Sequence, residues 1–147
     1  MPLHVRNQHR ISLPAPADVA FPFFTPKGEE RWVPGWEPHY IHPASGDTVR
    51  GLVFTTTGGG HTTIWQVADF DAAARTARYA RVTPALHAGF VEISCQPQPG
   101  GQACEVTVTY DMTALTPEGE QALQAYEDET FTRMIDGWAE AVAGCLP

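Results

Sequence analysis

The fold is decided by residues 103–143, which read ACEVTVTYDMTALTPEGEQALQAYEDETFTRMIDGWAEAVA. The first part of this stretch alternates between apolar and polar side chains, which predicts a strand with one buried and one solvent-exposed face. The apolar members of the alternation are Cys104, Val106, Val108, Tyr110 and Met112. Thr116-Pro117-Glu118 then predicts a helix start, because threonine caps well, proline suits the first helical position and an acid favours the first turn.

Residues 117–143 are predicted to form one long helix, about 40 Å in length at roughly 1.5 Å per residue. Its larger apolar residues recur at approximately helical spacing, which indicates that one face of the helix is buried. These residues are Leu123, Tyr126, Phe131, Met134, Trp138 and Val142.

The chain before this helix has the pattern of strands separated by turns. Gly58-Gly59-Gly60 is the clearest hairpin signal. Two short helices are predicted within residues 16–33, where Thr25-Pro26 is a second cap-and-proline start and Glu29 and Glu30 occupy favourable first-turn positions. Strand character is present at residues 3–13, 39–43, 49–57, 61–69, 76–83, 86–96 and 103–113.

Together these elements predict an α+β fold. A curved antiparallel sheet of six to seven strands with one solvent-exposed face must cover its other face, and the C-terminal helix is the only element long enough to do so. We therefore expect the sheet to wrap around that helix, with the two short helices following the first strand. Such an arrangement leaves a cavity between the sheet, the long helix and the short helices.

Length, charge and cysteine content disfavour several classes of protein. The 147 residues predict one domain, spanning residues 1–147. With 9 basic and 17 acidic residues, and a net charge of -8, no nucleic acid partner is expected. The chain has no apolar run of membrane-spanning length and no secretory signal pattern, so we expect no membrane insertion and a cytoplasmic location. Three cysteines without C-x-x-C spacing predict reduced thiols rather than a disulfide framework.

Three parts of the sequence resemble the START-like, or SRPBCC, superfamily: residues 13–21, residues 25–36 and the C-terminal helix with Trp138. The most specific part is Glu30-Arg31-Trp32-Val33-Pro34-Gly35-Trp36, which is similar to a bacterial branch of that group. The superfamily includes polyketide cyclases and dehydratases and lipid-transfer domains. The resemblance covers nearly the whole chain and implies a helix-grip fold with a deep hydrophobic cavity. It implies no particular chemistry, since the group shares no catalytic signature.

Large apolar and aromatic side chains are the first candidates for a binding site. Tryptophan and tyrosine combine an apolar body with a polar atom, which suits a pocket for a mostly apolar ligand. Ordinary core packing is the alternative for each of them. The predicted ligand-binding residues of this kind are Trp32, Trp36, Phe54, Trp65, Tyr110, Phe131, Met134 and Trp138.

Tyr79, Arg81 and His87 are the second set of candidates, both for ligand binding and, as catalytic residues, for proton transfer. The turn near Pro84 predicts that Arg81 pairs with His87 and that all three side chains point toward the long helix. In that orientation Arg81 could hold a carboxylate or an enolate, and His87 or Tyr79 could move a proton. A one-residue slip would instead place Tyr79 and Arg81 in solvent.

No metal site and no cofactor is predicted. His39 and His42 lie in a proline-rich strand rather than on a helix, and a zinc site usually needs three or four closely spaced ligands. The glycine triplet lacks the lysine and serine or threonine of a phosphate loop.

Three functions therefore remain open for this chain. The first is the binding of a hydrophobic small molecule, such as a lipid, an aromatic compound or a polyketide-like compound. The second is a cyclase or dehydratase that uses the same cavity. The third is a protein-binding module of the chaperone-activator type. Both a monomer and a homodimer are compatible with the sequence.

Overall fold

A computed structural model describes residues 3–147, and its centre is one antiparallel sheet of seven strands. Their spatial order is β1-β7-β6-β5-β4-β3-β2, so every neighbouring pair except β1 and β7 is also consecutive in sequence. The strands are β1 His4–Leu13, β2 His39–His42, β3 Val53–Gly58, β4 His61–Asp71, β5 Thr76–Thr83, β6 His87–Pro97 and β7 Cys104–Ala114. The predicted α+β helix-grip fold is therefore confirmed, at the upper end of the expected number of strands.

Short helical segments follow β1, as predicted. They are α1 Ala17–Ala20, a 3-10 turn Phe21–Phe24 and α2 Pro26–Glu29. Thr25 caps α2, with its Oγ1 accepting a hydrogen bond from the Gly28 amide at 3.1 Å. The same geometry starts the C-terminal helical region, where Thr116 Oγ1 accepts from the Gly119 amide at 3.0 Å. Both cap-and-proline signals in the sequence thus mark true helix starts.

The prediction of a single helix over residues 117–143 is wrong for residues 117–127, where the helix is interrupted. The structure has α3 Pro117–Ala122, a 3-10 turn Leu123–Tyr126 and α4 Asp128–Ala143. Glu127 is extended at the break, with φ -97° and ψ 140°. The break frees the Tyr126 carbonyl, which accepts a hydrogen bond of 2.6 Å from Asn7 Nδ2 of β1. It also allows the Tyr126 ring to pack against Tyr110, with 5.1 Å between ring centroids.

Helix α4 lies against β1 on the concave side of the sheet, and the core fills the space between them. Phe131 and Ile135 of α4 are fully buried against this face. At its edge, His9 Nε2 and Asp136 Oδ1 are 2.7 Å apart and link β1 to α4. No helix among residues 3–147 is both long enough and apolar enough to cross a membrane.

The register of β5 and β6 differs from the prediction by two residues. His87 pairs with Thr83, and Arg81 pairs with Gly89. The difference arises because the connecting turn is short: the Leu86 amide donates to the Thr83 carbonyl at 2.9 Å, and Ala85 has a φ of 68°. A shift of two residues preserves which face each side chain occupies. The concave-face placement of Tyr79 and Arg81 is therefore unaffected.

Candidate ligand-binding site

A cavity of about 120 Å³ lies between the concave face of the sheet, α2 and α4. Its walls are mainly aromatic and aliphatic, with an arginine and a glutamate among them. The lining residues are Pro26, Glu29, Val33, Trp36, Phe54, Trp65, Tyr79, Arg81, Val91, Ile93, Tyr110 and Trp138.

One wall is built from three aromatic rings. Phe54 and Trp65 are paired across β3 and β4, and their rings are parallel within 3° with centroids 5.7 Å apart. Trp36 meets Trp65 edge-on at 5.6 Å, and its Nε1 donates to the Pro26 carbonyl at 2.9 Å. Trp65 Nε1 in turn donates to Thr56 Oγ1 at 3.0 Å. These hydrogen bonds hold both indole rings in place and so preform the wall.

The opposite wall carries Trp138 of α4 and Tyr110 of β7, whose ring centroids are 6.3 Å apart. Trp32 supports Trp138 from behind in an edge-on contact at 5.6 Å. Its own Nε1 donates to the Phe23 carbonyl at 2.7 Å. Trp32 therefore positions a wall residue and does not itself line the cavity.

Arg81 supplies a cationic group to this largely apolar cavity. Its guanidinium carbon lies 4.6 Å from the centroid of the Trp65 ring, which is within cation–π distance. The Arg81 Nε is buried and has no hydrogen-bond partner among residues 3–147. A buried donor without an acceptor costs free energy. The terminal N–H groups of the same guanidinium also have no protein acceptor, and they are the donors that a ligand oxygen in the cavity can reach.

Glu29 places a carboxyl group in the same cavity. It is the last residue of α2, and part of its surface stays accessible because it faces the cavity. Burial raises the pKa of this carboxyl to about 8, and the Arg81 guanidinium lowers it by a smaller amount. At neutral pH the cavity wall thus carries a mostly protonated glutamic acid and a cationic arginine.

The two cavity tyrosines differ in what their hydroxyls do. Tyr79 is 5% exposed, and its hydroxyl donates to the Phe24 carbonyl at 2.8 Å, tying β5 to the segment that precedes α2. Burial raises the pKa of both Tyr79 and Tyr110, so both stay neutral near physiological pH. Tyr79 therefore acts as a structural link, because its proton is already committed to the backbone.

His87 is buried and is not among the residues that line the cavity. Its ring packs edge-on against Tyr126, with centroids 6.2 Å apart, and its Nδ1 has no partner among residues 3–147. Burial lowers the pKa of this imidazole, and the nearby Arg81 charge lowers it further. His87 thus belongs to the packing between β6 and the 3-10 turn, on the sheet face predicted for it.

The predicted candidates separate into two groups in the structure. Those that line the cavity are Trp36, Phe54, Trp65, Tyr79, Arg81, Tyr110 and Trp138, and those that do not are Trp32, His87, Phe131 and Met134. Phe131 is only 1% exposed and packs behind Tyr110 at 5.3 Å, and Met134 packs partly buried against the core. These four residues belong to the core that surrounds the cavity and do not form part of its wall.

Five lining residues were not predicted as site residues: Pro26, Glu29, Val33, Val91 and Ile93. The spacing of Pro26, Glu29 and Val33 by three and four is that of one helical face, which could have indicated a shared orientation. Local sequence favours a different interpretation for Glu29, because an acid in a first turn usually faces solvent near the helix dipole.

The cavity beneath a sheet that grips a terminal helix defines this molecule as a helix-grip protein with an internal aromatic pocket. The chain belongs to the polyketide cyclase / dehydrase and lipid transport family, which matches residues 4–143. The START-like resemblance of the sequence is thereby confirmed. No curated protein sequence matches the chain.

Solved structures similar to this chain share its fold at low sequence identity. Truncated norcoclaurine synthase from Thalictrum flavum superposes with a TM-score of 0.71 and 15% identity, covering 98% of this chain and 94% of that one. The same synthase in complex with dopamine and hydroxybenzaldehyde superposes with a TM-score of 0.69 and 15% identity, covering 98% of this chain and 87% of that one. The Zhui aromatase/cyclase from Streptomyces sp. R1128 superposes with a TM-score of 0.67 and 16% identity, covering 97% of this chain and 93% of that one.

Proposed function

We propose that this protein binds a small molecule that has one aromatic ring and a carbonyl or similar oxygen. The ring occupies the aromatic part of the cavity, and the oxygen accepts a hydrogen bond from Arg81. The observation that carries the proposal is that the Arg81 guanidinium, on a lining residue of the cavity, makes no hydrogen bond or ion pair with any of residues 3–147.

The volume of the cavity favours a single-ring ligand. A dry cavity of about 150 Å³ accommodates benzene, whereas pockets for larger ligands span roughly 300–1,000 Å³. At about 120 Å³, the space is slightly smaller than that benzene-binding cavity, so one ring fills most of it and leaves room for little more than a short substituent beside Arg81. A long-chain lipid or a multi-ring polyketide would require the cavity to expand. A synthase of the same fold has been solved with dopamine and hydroxybenzaldehyde, which are single-ring compounds.

The polar groups of the cavity favour an uncharged ligand with an acceptor oxygen, or an anionic one. A cationic amine would face Arg81 without a carboxylate to compensate it, because burial keeps Glu29 mostly protonated at neutral pH. An acceptor oxygen would instead satisfy the Arg81 donor. A binding free energy of about 0.5 kcal/mol per non-hydrogen atom gives about 5 kcal/mol for a ligand of about ten such atoms. This corresponds to a Kd on the order of 0.2 mM.

Titration with phenylacetone tests this proposal. Trp36, Trp65 and Trp138 line the cavity, so occupancy should change the intrinsic fluorescence of the protein. We expect saturable binding of phenylacetone and much weaker binding of palmitate. Val33→Trp should fill the cavity and abolish phenylacetone binding. Val49→Trp is the matched control, since Val49 is 44% exposed and does not line the cavity. Equal binding to both variants would contradict the proposal.

A further inference from the structure

We propose that the cavity is also a proton-transfer site. In it, Glu29 removes and returns a proton on the carbon next to a ligand carbonyl, while the Arg81 guanidinium holds the carbonyl oxygen. This inference rests on the proposed function, because it requires the carbonyl compound to bind in the same cavity. It goes beyond that function by assigning a catalytic activity to two residues of the wall.

The two groups enter the cavity from different elements. Arg81 projects from β5 on the concave face, and Glu29 ends α2, which covers that face. The position of α2 is well determined by its neighbours. Thr25 caps it, and Gly28 packs so closely on the preceding turn that a Cβ there would collide with the Pro22 carbonyl oxygen. The backbone that carries Glu29 is therefore held firmly over the cavity.

The Glu29 carboxyl has no structural partner that would occupy it. It makes no hydrogen bond or ion pair with any of residues 3–147, whereas its neighbour Glu30 accepts a hydrogen bond from the Tyr40 hydroxyl at 2.6 Å. Burying a carboxyl group in an apolar cavity without a hydrogen-bond partner costs free energy. Such groups are concentrated at functional sites. Its proton and its lone pairs are both available to a bound molecule.

The charged and titratable groups that face Glu29 come from several strands. Arg81 of β5 favours the carboxylate, while the hydroxyls of Tyr40, Tyr79 and Tyr110 come from β2, β5 and β7. Burial raises the pKa of Glu29 by more than the Arg81 charge lowers it, so the pKa is about 8. A proton acceptor of that pKa is close to the optimum for transfer near neutral pH, because both protonation states are populated.

The proposed step balances without a further reactant. The ionised Glu29 carboxylate takes a proton from the α-carbon, and the electron pair of that C–H bond forms a carbon–carbon double bond. The carbonyl π electrons move to the oxygen, and the resulting enolate is stabilised by the Arg81 N–H group. Return of the proton from Glu29 to the carbon regenerates the ketone. In D₂O, exchange of the Glu29 proton with solvent would place deuterium on the α-carbon.

The test follows α-hydrogen exchange of phenylacetone in D₂O by the loss of its methylene NMR signal. Binding is measured in parallel by tryptophan fluorescence. We expect the wild-type protein to accelerate exchange, with a rate that rises with pH and levels off near pH 8. The Glu29→Gln variant should still bind phenylacetone, but its protein-dependent exchange rate should be at least 100-fold lower than that of the wild type. Glu37→Gln is the matched control, because Glu37 is exposed and does not line the cavity.

Two results would overturn the inference while leaving the binding function intact. One is unchanged exchange by a Glu29→Gln variant that still binds phenylacetone. The other, which needs no variant, is a wild-type protein that binds phenylacetone but does not accelerate exchange, or that accelerates it without a plateau near pH 8. If phenylacetone does not bind the wild-type protein at all, the proposed function fails and the inference falls with it.

Discussion

Arg81 lies over the ring of Trp65, with 4.6 Å between the guanidinium carbon and the ring centroid. The two residues are direct partners across β4 and β5, so the sheet register itself creates this contact. A cation–π contact places the guanidinium over the face of the indole ring and uses none of its N–H groups as donors to a protein oxygen. The arginine is thereby held in position while its Nε stays without a protein acceptor.

Removing the Arg81 donor should lower affinity for ligands that carry an oxygen. We expect Arg81→Met to weaken phenylacetone binding about 10-fold or more, because a hydrogen bond to a charged group contributes roughly 1.5–3 kcal/mol. Binding of propylbenzene, which lacks the oxygen, should change much less. Fluorescence titration of both compounds against both proteins measures this difference. An equal loss for the two compounds would show that Arg81 contributes packing alone.

The stability of the protein should depend on the protonation of Glu29. Because its pKa is raised in the folded state from 4.5 to about 8, the folded protein binds this proton more tightly than the unfolded chain does. This stabilising contribution is complete below about pH 4.5 and is lost as the pH rises to about 8. We therefore expect Glu29→Gln to match the wild type at pH 4.5 and to be more stable at pH 9, by a few kcal/mol.

Urea unfolding at the two pH values measures that effect. Glu37→Gln, a substitution of an exposed glutamate, should leave stability nearly unchanged at both. If Glu29→Gln were no more stable than the wild type at pH 9, the Glu29 carboxyl would have to be hydrated in the folded protein.

Two glycine substitutions should have opposite effects on stability. In Gly28→Ala, the added Cβ collides with backbone atoms of Pro22 and Phe23, so the 3-10 turn or α2 must move. We expect a loss of about 2 kcal/mol or more, by the range typical of overpacking. In Gly137→Ala, the Cβ meets no atom within 4 Å on an exposed face of α4, and helix propensity should add about 0.5–1 kcal/mol.

Thermal unfolding of both glycine variants, together with phenylacetone titration, checks this pair. Gly28→Ala should also weaken binding, because α2 carries Glu29 and Pro26 into the cavity. A Gly28→Ala variant with wild-type stability would mean that the α2 backbone shifts at little cost.

The break before α4 should depend on one side chain of β1. Asn7 donates to the Tyr126 carbonyl at 2.6 Å, a contact between opposite ends of the chain. We expect Asn7→Ala to lower the free energy of unfolding by about 1–2 kcal/mol, since the freed carbonyl loses its partner in a partly buried site. Gln102→Ala, at an exposed position in the turn before β7, should change it by less than about 0.5 kcal/mol. Similar losses for the two variants would contradict this assignment.

Side-chain periodicity predicted the faces of the sheet. The alternation at residues 103–113 corresponds to β7 at Cys104–Ala114, and its predicted apolar face is the buried one. Tyr79 and Trp65 lie on the concave face for the same reason. Exact pairing was less predictable: the β5–β6 register depended on a short turn in which Ala85 has a positive φ, and a simple alternation does not encode turn length.

The sequence by itself determined the strand faces, the two threonine caps and the hairpin at the glycine triplet, because each depends on residues within a few positions of one another. Tertiary structure alone decided the break at Glu127 and the burial of Glu29. The first brings the Tyr126 carbonyl to Asn7 of β1, and the second arises because α2 covers the concave face of the sheet. In isolation the acids at positions 29 and 127–129 have the pattern of solvated helix turns. Their environment is set by distant segments, which is why the cavity carboxyl became visible only in the folded molecule.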